Sequence, residues 1–454
     1  MKRRIVFFLL VAFFTSAVNS YAADIESRLN ALEETIRQQG RTIQEQQQVI
    51  NELKEELKKT GQEAAAKTQE DVAKPEEEAP GEKKSLQFTG LFGASNLMNP
   101  NISLILNTFA YTSNLKQSEL ENRGIPGFTK EGLPYRKGFN LESAELFLFA
   151  PVDPYFNLYA TIPVTEDGAE LEEAYFLTTS LPYGFQVKGG KFKSGLGRIN
   201  GQHPHAWDFE DAPLPYRAFM GGEGITEKGA QLTYLPPLPF YTLFGLEALQ
   251  GENETLFGPD ARSGPHAFTA FAKASFDISD NSTMLIGQSV ITGSTLTDTV
   301  ADDTEFSGTS TLYDTELTYK WKPSKNQSLT LQSEYLYRRQ SGDLEDTITS
   351  TDDSLKRAQD GLYVQGIYQM NRWRIGARYD ALDLFKKEYL LAGNEKGFGP
   401  RPWRVSGMLE FNPTEFSRIR LQYNHDKSGG DGRTNQEWFL QFIMGIGAHG
   451  AHPF

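Results

Sequence analysis

The sequence contains no cysteine among its 454 residues. Disulfide bonds and thiolate metal sites are therefore excluded, and no cysteine follows the N-terminal apolar run to accept a lipid. Basic residues are also in deficit, since 45 Lys and Arg stand against 59 Asp and Glu, for a formal net charge of −14. This balance argues against nucleic acid as a partner.

Long apolar runs and recognisable catalytic motifs are also absent. After the N-terminal region, no stretch reaches the roughly 18 consecutive apolar residues of a membrane helix. A transmembrane β-barrel escapes that test, because half of each strand is polar. There is no GxSxG elbow, phosphate-binding glycine loop or HExxH helix. A Ser/His pair built on His266 or His425 is conceivable, but no spacing selects one, so we do not expect an enzyme.

The N-terminal region predicts export followed by a helical segment. Three basic residues, Lys2 to Arg4, precede an apolar run from Ile5 to Phe14 and then small residues, which is typical of a cleavable signal peptide over 1–22. An unbroken 3-4 spacing over 25–57 predicts a coiled coil within 24–60, in the periplasm. A lone amphipathic helix is the alternative. Residues 61–85 are charged and free of aromatic residues, as in a flexible linker.

From residue 86 onward, alternating Tyr-, Phe- and Thr-rich segments predict an all-β transmembrane barrel of about 16 antiparallel strands, over 86–454. Short turns alternate with mostly longer polar connections. Because the expected number of strands is even, the chain enters and leaves the barrel on the same, periplasmic side of the membrane. The short turns are expected near 151–154, 180–184, 236–239, 279–281, 323–326, 371–372 and 412–415. The longer loops are expected at 114–137, 194–228, 249–265, 293–307, 341–356, 383–401 and 427–434, while the connection at 165–168 is short.

The final segment, 435–454, shows the alternation most clearly. Trp438, Leu440 and Met444 share one face, so a strand here presents a continuous apolar row, expected to face lipid. An edge strand of a soluble β-sandwich is the alternative. The C-terminal Phe454 resembles the signal that the barrel assembly machinery reads in bacterial outer-membrane barrels.

Three segments carry a family resemblance: Asn99 to Ser103, Leu171 to Tyr175, and Lys188 to Gly224. They are similar to Gram-negative outer-membrane proteins related to the phosphate-selective porin O/P class. Some members bear the label of zinc-regulated TonB-dependent receptor. Such receptors have about 22 strands and a plugged lumen, for which the residues after 85 are too few.

The longest loop, 194–228, is the strongest candidate for a functional element. In trimeric porins, which the chain resembles, the third outside loop folds inward as a constriction. Charged and imidazole side chains of this loop would then narrow the pore; a loop that merely caps the outer surface is the alternative. The candidate constriction residues are Arg198, His203, His205, Asp208, Glu210, Asp211 and Arg217.

Arginines on the polar faces of later strands predict a basic lumen wall opposite this loop. If it faces the acidic residues Asp208, Glu210 and Asp211 across the pore, anions would pass preferentially. Alternatively, some of these arginines simply pair with lumen carboxylates. The wall residues are Arg338, Arg374, Arg378, Arg404, Arg418 and Arg420.

The histidines suggest a metal site as a rival interpretation. His203, His205 and Asp208 offer imidazole and carboxylate ligands of the kind that Zn²⁺ accepts, while His449 and His452 lie near the other rim. The alternative function is therefore a receptor for zinc or a metal chelate, and a third possibility is a structural tether.

The sequence as a whole favours a homotrimeric outer-membrane porin without cofactors. It would lie in the lipid of the bacterial outer membrane, with its N-terminal stalk in the periplasm. Its cargo would be small hydrophilic, anionic solutes.

Overall fold

The computed structural model describes residues 100–129, 132–133, 135–258, 264–297, 304–346 and 351–447. Several predictions fall outside these residues: the signal peptide (1–22), the coiled coil (24–60), the linker (61–85), His449, His452 and Phe454. They stay predictions.

The described residues contain seventeen antiparallel strands in one sheet. They are β1 (Asn101–Ser113), β2 (Gly138–Asp153), β3 (Phe156–Val164), β4 (Glu173–Thr178), β5 (Phe185–Lys193), β6 (Thr226–Tyr234), β7 (Tyr241–Leu249), β8 (Ala267–Ser279), β9 (Ser282–Thr297), β10 (Thr304–Ser324), β11 (Gln327–Asp346), β12 (Thr351–Met370), β13 (Trp373–Leu391), β14 (Asn394–Glu395), β15 (Trp403–Thr414), β16 (Ser417–Asp426) and β17 (Asn435–Gly447).

The sheet closes on itself. β17 pairs with β1 from Ser103 opposite Gly447 to Ser113 opposite Glu437, and β1 also pairs with β2. The two-residue β14 pairs only with the end of β13, which pairs directly with β15, so sixteen strands form the wall. Closure leaves no unpaired edge in the wall. The predicted sixteen-stranded antiparallel barrel is confirmed.

Short helices occur only in the connections of the described chain. They are α1 (Gln117–Glu121), α2 (Leu214–Met220), α3 (Glu254–Phe257) and three 3₁₀ turns, Pro182–Gly184, Ile199–Gly201 and Pro204–Ala206. Proline in the first turn starts α2, and Gly221, with φ 82°, ends it. Among the described residues, no helix combines the length and the apolar character needed to cross a membrane.

The two faces of the wall follow the side-chain period of a strand. In β17, Phe439, Gln441 and Ile443 are buried inside, whereas Trp438 and Met444 are exposed outside. The apolar row predicted for the last strand therefore lies on the outer surface.

The connections also alternate as predicted, with a systematic difference on one side. The seven expected tight turns all join strands at one end of the barrel. Within the loops expected at 293–307 and 341–356, the described residues are strand, as is much of 383–401, because β9 to β13 extend to between 16 and 21 residues. The outer faces of these extensions are polar, so they lack the apolar row that marks a lipid-facing strand, whereas Phe306, Leu344, Leu355 and Tyr389 pack in one buried cluster.

Candidate functional site inside the barrel

The connection between β5 and β6, residues 194–225, lies within the ring of strands. Its apolar side chains, including Leu214 and Phe219 of α2, pack in one cluster with inward-facing side chains of four distant strands. Those wall side chains are Ile291, Leu312, Leu336 and Leu382. The wall is therefore apolar where the loop rests on it, and burying these side chains offsets the cost of ordering a long segment.

The start of the loop is held by polar groups of the wall. Glu247 accepts hydrogen bonds from the Ser194 hydroxyl at 2.5 Å and the Gly195 amide at 2.8 Å. Glu334 of β11 accepts from the Ile199 amide at 2.8 Å. Glu247 lies on β7, beside the strand that follows the loop, whereas Glu334 lies on the distant β11, so the loop reaches across the interior.

Asp211 is the strongest anchor of the loop. Arg378 of β13 donates to its carboxylate at 2.7 Å, and Arg404 of β15 does the same at 2.7 Å. Gln422 and Asn424 of β16 also donate to it, at 2.7 and 2.8 Å. Burial alone would raise the pKa of Asp211, but Arg404 and Arg378 outweigh burial and hold the pKa at about 2. The carboxylate therefore stays ionised and paired.

The segment before Asp211 is fixed by three further arginines. Arg374 forms an ion pair with Asp208 and, at 2.8 Å, with Glu410. Arg420 donates to the Trp207 carbonyl at 2.8 Å, and Arg418 donates to the His205 carbonyl at 3.1 Å.

Two candidate residues, Glu210 and Arg217, lie in other environments. Glu210 is buried among acidic neighbours; burial first, then the charges of Glu142 and Asp211, raises its pKa far above the ordinary range. Arg217 donates to the Gly132 carbonyl at 2.6 Å, which joins this loop to the one after β1.

The structure differs here from the expected basic wall. Arg378, Arg404 and Arg420 do lie inside the barrel, but they form hydrogen bonds and ion pairs with the loop directly. They therefore do not face its carboxylates across an open pore. Arg338 donates to Gln359 at 2.8 Å and is enclosed by the rings of Phe128 and Phe219. Its place under these rings explains why it faces no open lumen.

A cavity of about 1430 Å³ lies between the loop and the end of the barrel that carries the short turns. We call it the vestibule. Its charged lining is predominantly basic: Arg198, Lys320, Arg372, Arg374 and Arg418 outnumber Asp208, Glu410 and Glu415. Arg374 and Arg418 are therefore the two members of the expected wall that border open space.

The structure does not bring together the three residues that were expected to bind a metal ion. His203 and His205 do lie side by side, with ring centroids 5.7 Å apart and planes inclined by 14°. Asp208 instead pairs with Arg374 and accepts from Gln365 at 3.0 Å, because it points toward β12 and β13.

The histidines meet a different set of carboxylates. His203 Nδ1 lies 3.2 Å from Glu172 Oε2, and His203 Nε2 lies 3.0 Å from Glu173 Oε2. Glu145 Oε2 lies 3.2 Å from His205 Nδ1. Burial alone would lower the pKa of His203, but hydrogen bonds with Glu172 and Glu173 outweigh it and raise the pKa to about 9. Sequence reasoning missed these glutamates, although they interrupt the apolar alternation of β2 and β4, which was the available signal.

A protein of similar sequence is known over most of the length of this chain. The chain is 44% identical to an uncharacterised protein of Aquifex aeolicus (strain VF5) over 384 residues, which covers 78% of this chain and 80% of the relative. No family model matches the sequence.

Among solved structures, the outer membrane channel DcaP of Acinetobacter baumannii is similar in fold, with a TM-score of 0.50 and 12% identity, over 78% of this chain and 99% of that one. An anion-selective porin from Comamonas acidovorans matches with a TM-score of 0.48 and 9% identity, over 77% and 99% of the two chains.

Proposed function

The chain belongs to the same family as the uncharacterised Aquifex aeolicus protein, and we propose that it is an outer-membrane porin for small hydrophilic, anionic solutes. The observation that carries this proposal is the closed sixteen-stranded barrel with an apolar outer surface and a charged interior. The fold similarity to an outer membrane channel supports it. The short turns would face the periplasm, as in other outer-membrane barrels.

In this proposal, loop 194–225 is the constriction. It is anchored on β7 and β11 through Glu247 and Glu334, and on β13 and β15 through Asp211. A loop held on opposite sides of the interior narrows the passage and leaves it a fixed size. We therefore assign Arg198, His205 and Asp208, which face the vestibule, to the narrow end of the pathway.

The preference for anions would follow from the charge of the side chains that line the vestibule. Its basic side chains outnumber the acidic ones although the whole chain is acidic, and a basic lining lowers the electrostatic barrier for anions. Arg374 and Arg418 both approach Glu410, so we expect Arg198 and Arg372 to contribute most to this preference.

A homotrimer is part of the same proposal. β4 has six residues, which at about 3.3 Å per residue and a tilt of about 40° covers roughly 15 Å, less than the apolar band of about 25 Å. We call the part of the barrel formed by β3 and β4 the low wall. Its outer face carries the exposed side chains of Leu158 and Phe176. A neighbouring copy of the same chain would cover the part of the apolar band that β4 is too short to span.

Recording from planar bilayers tests the channel. Purified protein should give stepwise ionic conductance, and replacing residues 203–211 by a glycine-serine linker should enlarge each step, because the constriction is removed. If the wild-type protein never conducts, the porin assignment is refuted. If the linker variant conducts with unchanged steps, the loop is not the constriction.

A further inference from the structure

The cluster around His203 has a geometry that ordinary ion pairing does not require. Three ligand atoms, one each from Glu145, Glu172 and His203, lie within 4.8 Å of one another. His203 Nδ1 is 3.2 Å from Glu172 Oε2 and 3.6 Å from Glu145 Oε2. With metal–ligand bonds of about 2.1 Å, the edge of a zinc tetrahedron is about 3.4 Å. The two observed separations bracket that edge.

The opposite nitrogen of the same imidazole is also arranged as a metal ligand requires. His203 Nε2 lies 3.0 Å from Glu173 Oε2. A histidine that binds a metal through one nitrogen usually donates the N–H of the other to a carboxylate, which fixes the tautomer and the ring orientation. Glu173 would therefore leave Nδ1 unprotonated and aimed at Glu145 and Glu172.

The two carboxylate ligands have supporting partners of their own. Lys193 Nζ lies 2.6 Å from Glu172 Oε1, which leaves Oε2 directed at His203. His205 Nδ1 lies 3.2 Å from Glu145 Oε2. Each ligand is thus oriented by one neighbouring side chain, as in built metal sites.

Charge balance favours a cation at this position. Glu145, Glu172 and Glu173 bring three carboxylates to the His203 ring, and the ammonium groups beside them are those of Lys193, which pairs with Glu172, and Lys188, which lies near Glu173. His203 Nδ1 faces the carboxylates of Glu145 and Glu172, to which a protonated His203 would bring only one positive charge. Its single Nδ1–H would also have to serve two carboxylate oxygens, whereas a divalent ion would bind both oxygens and neutralise both charges.

The geometry points to a divalent metal site formed by Glu145, Glu172 and His203, with Zn²⁺ as the expected ion and a water molecule in the fourth position. One imidazole and two carboxylates are ligands that suit zinc. His205 lines the vestibule, which supplies a route of entry from that end. The ion would join β2 and the β3–β4 connection to loop 194–225, so its role would be to fix the loop against the side of the wall that Asp211 does not contact.

The test is calorimetric titration of ZnCl₂ into the full-length protein, folded in detergent, stripped with EDTA and free of any histidine tag. His449→Ala and His452→Ala are introduced into every sample, so that these two histidines contribute no ligand. One zinc ion per chain is expected, with an affinity at least tenfold weaker in Glu172→Gln and in His203→Gln. The matched control, His425→Ala, removes a histidine that stacks on Trp403 in a different part of the barrel and should bind like the parent.

Two results would overturn the site: no binding below 100 μM zinc in the parent, or unchanged binding in both ligand variants. Should a variant fail to fold, anomalous diffraction at the zinc edge from crystals of the parent decides the matter. A peak between His203 Nδ1 and the two glutamate oxygens is expected, and a peak elsewhere refutes the assignment. The outcome is independent of conductance, because a protein that conducts without binding zinc would refute this site alone.

Discussion

Arg378 makes two hydrogen bonds to one residue of the loop, from Nη2 to the Asp211 carboxylate at 2.7 Å and from Nη1 to the Asp211 carbonyl at 2.8 Å. The two residues are far apart in sequence, and both are buried. This relationship ties the middle of the loop to the wall and leads to the first prediction.

Replacing Arg378 by alanine should loosen the loop. Removing one partner of a buried ion pair costs about 3 kcal/mol, and here the loss falls on the loop because the strands keep their backbone hydrogen bonds. We expect larger and noisier single-channel conductance, with faster tryptic cleavage after Arg198 or Arg217. Arg339→Ala, on the outer face of β11, is the matched control and should change neither property. Equal behaviour of the two variants would show that Asp211 is held adequately without Arg378.

The anion preference should depend on the vestibule more than on the buried arginines. Arg198→Gln combined with Arg372→Gln removes two positive charges that border open space. The reversal potential in a salt gradient should move toward that of a non-selective pore, by several millivolts or more, because selectivity follows the local charge of the lining. Lys356→Gln with Lys386→Gln removes the same charge from exposed positions of β12 and β13 that do not line the vestibule. A shift of equal size in that control would assign selectivity to overall charge.

The contribution of His203 to stability should depend on pH. In EDTA-treated protein, its pKa of about 9 lies above the ordinary value of 6.5, because Glu172 and Glu173 favour the protonated ring over the cost of burial. The stabilisation is complete below about pH 6.5 and is lost as the pH rises through 9. The difference in melting temperature between wild type and His203→Gln should therefore shrink from pH 6.5 to pH 10. The side chains around the ring are Glu145, Glu172, Glu173, Lys193 and His205, and all of them are retained in the variant. A difference that stays constant over this range would contradict the raised pKa.

The proposed trimer should depend on the low wall. Phe176→Lys places a charge on the outer face of β4, where we expect a neighbouring copy, and should convert trimers to monomers in light-scattering measurements corrected for detergent. Ile375→Lys is the matched control, because Ile375 is also exposed on the outer face and, like Phe176, lies two residues from the short-turn end of its strand, so that a lysine there should cost a similar free energy. It should leave the trimer intact. Loss of trimer in both variants would indicate general destabilisation, and loss in neither would place the interface elsewhere.

Much of the wall was predictable from the sequence, because a strand has a side-chain period of two and the tight turns have a distinctive composition. Trp438 and Phe439 fall on opposite faces by that rule alone, and the strand count follows from the turns. The tall extensions of β10 to β13 were not predictable in the same way. Their outer faces are polar, and the few apolar side chains, such as Phe306 and Leu344, are too widely spaced to form the continuous alternation that identifies a membrane strand.

The sequence also selected loop 194–228 as the candidate functional element and placed Arg374, Arg378, Arg404, Arg418 and Arg420 on inward faces. It did not determine which arginine meets which carboxylate. Asp208 pairs with Arg374 and Asp211 with Arg378 and Arg404, whereas the histidines meet Glu145, Glu172 and Glu173. Periodicity is a local property that determines the face of each side chain. Partners that lie far apart in the chain meet only after closure of the barrel sets strand height and loop path, so only the tertiary structure decided them.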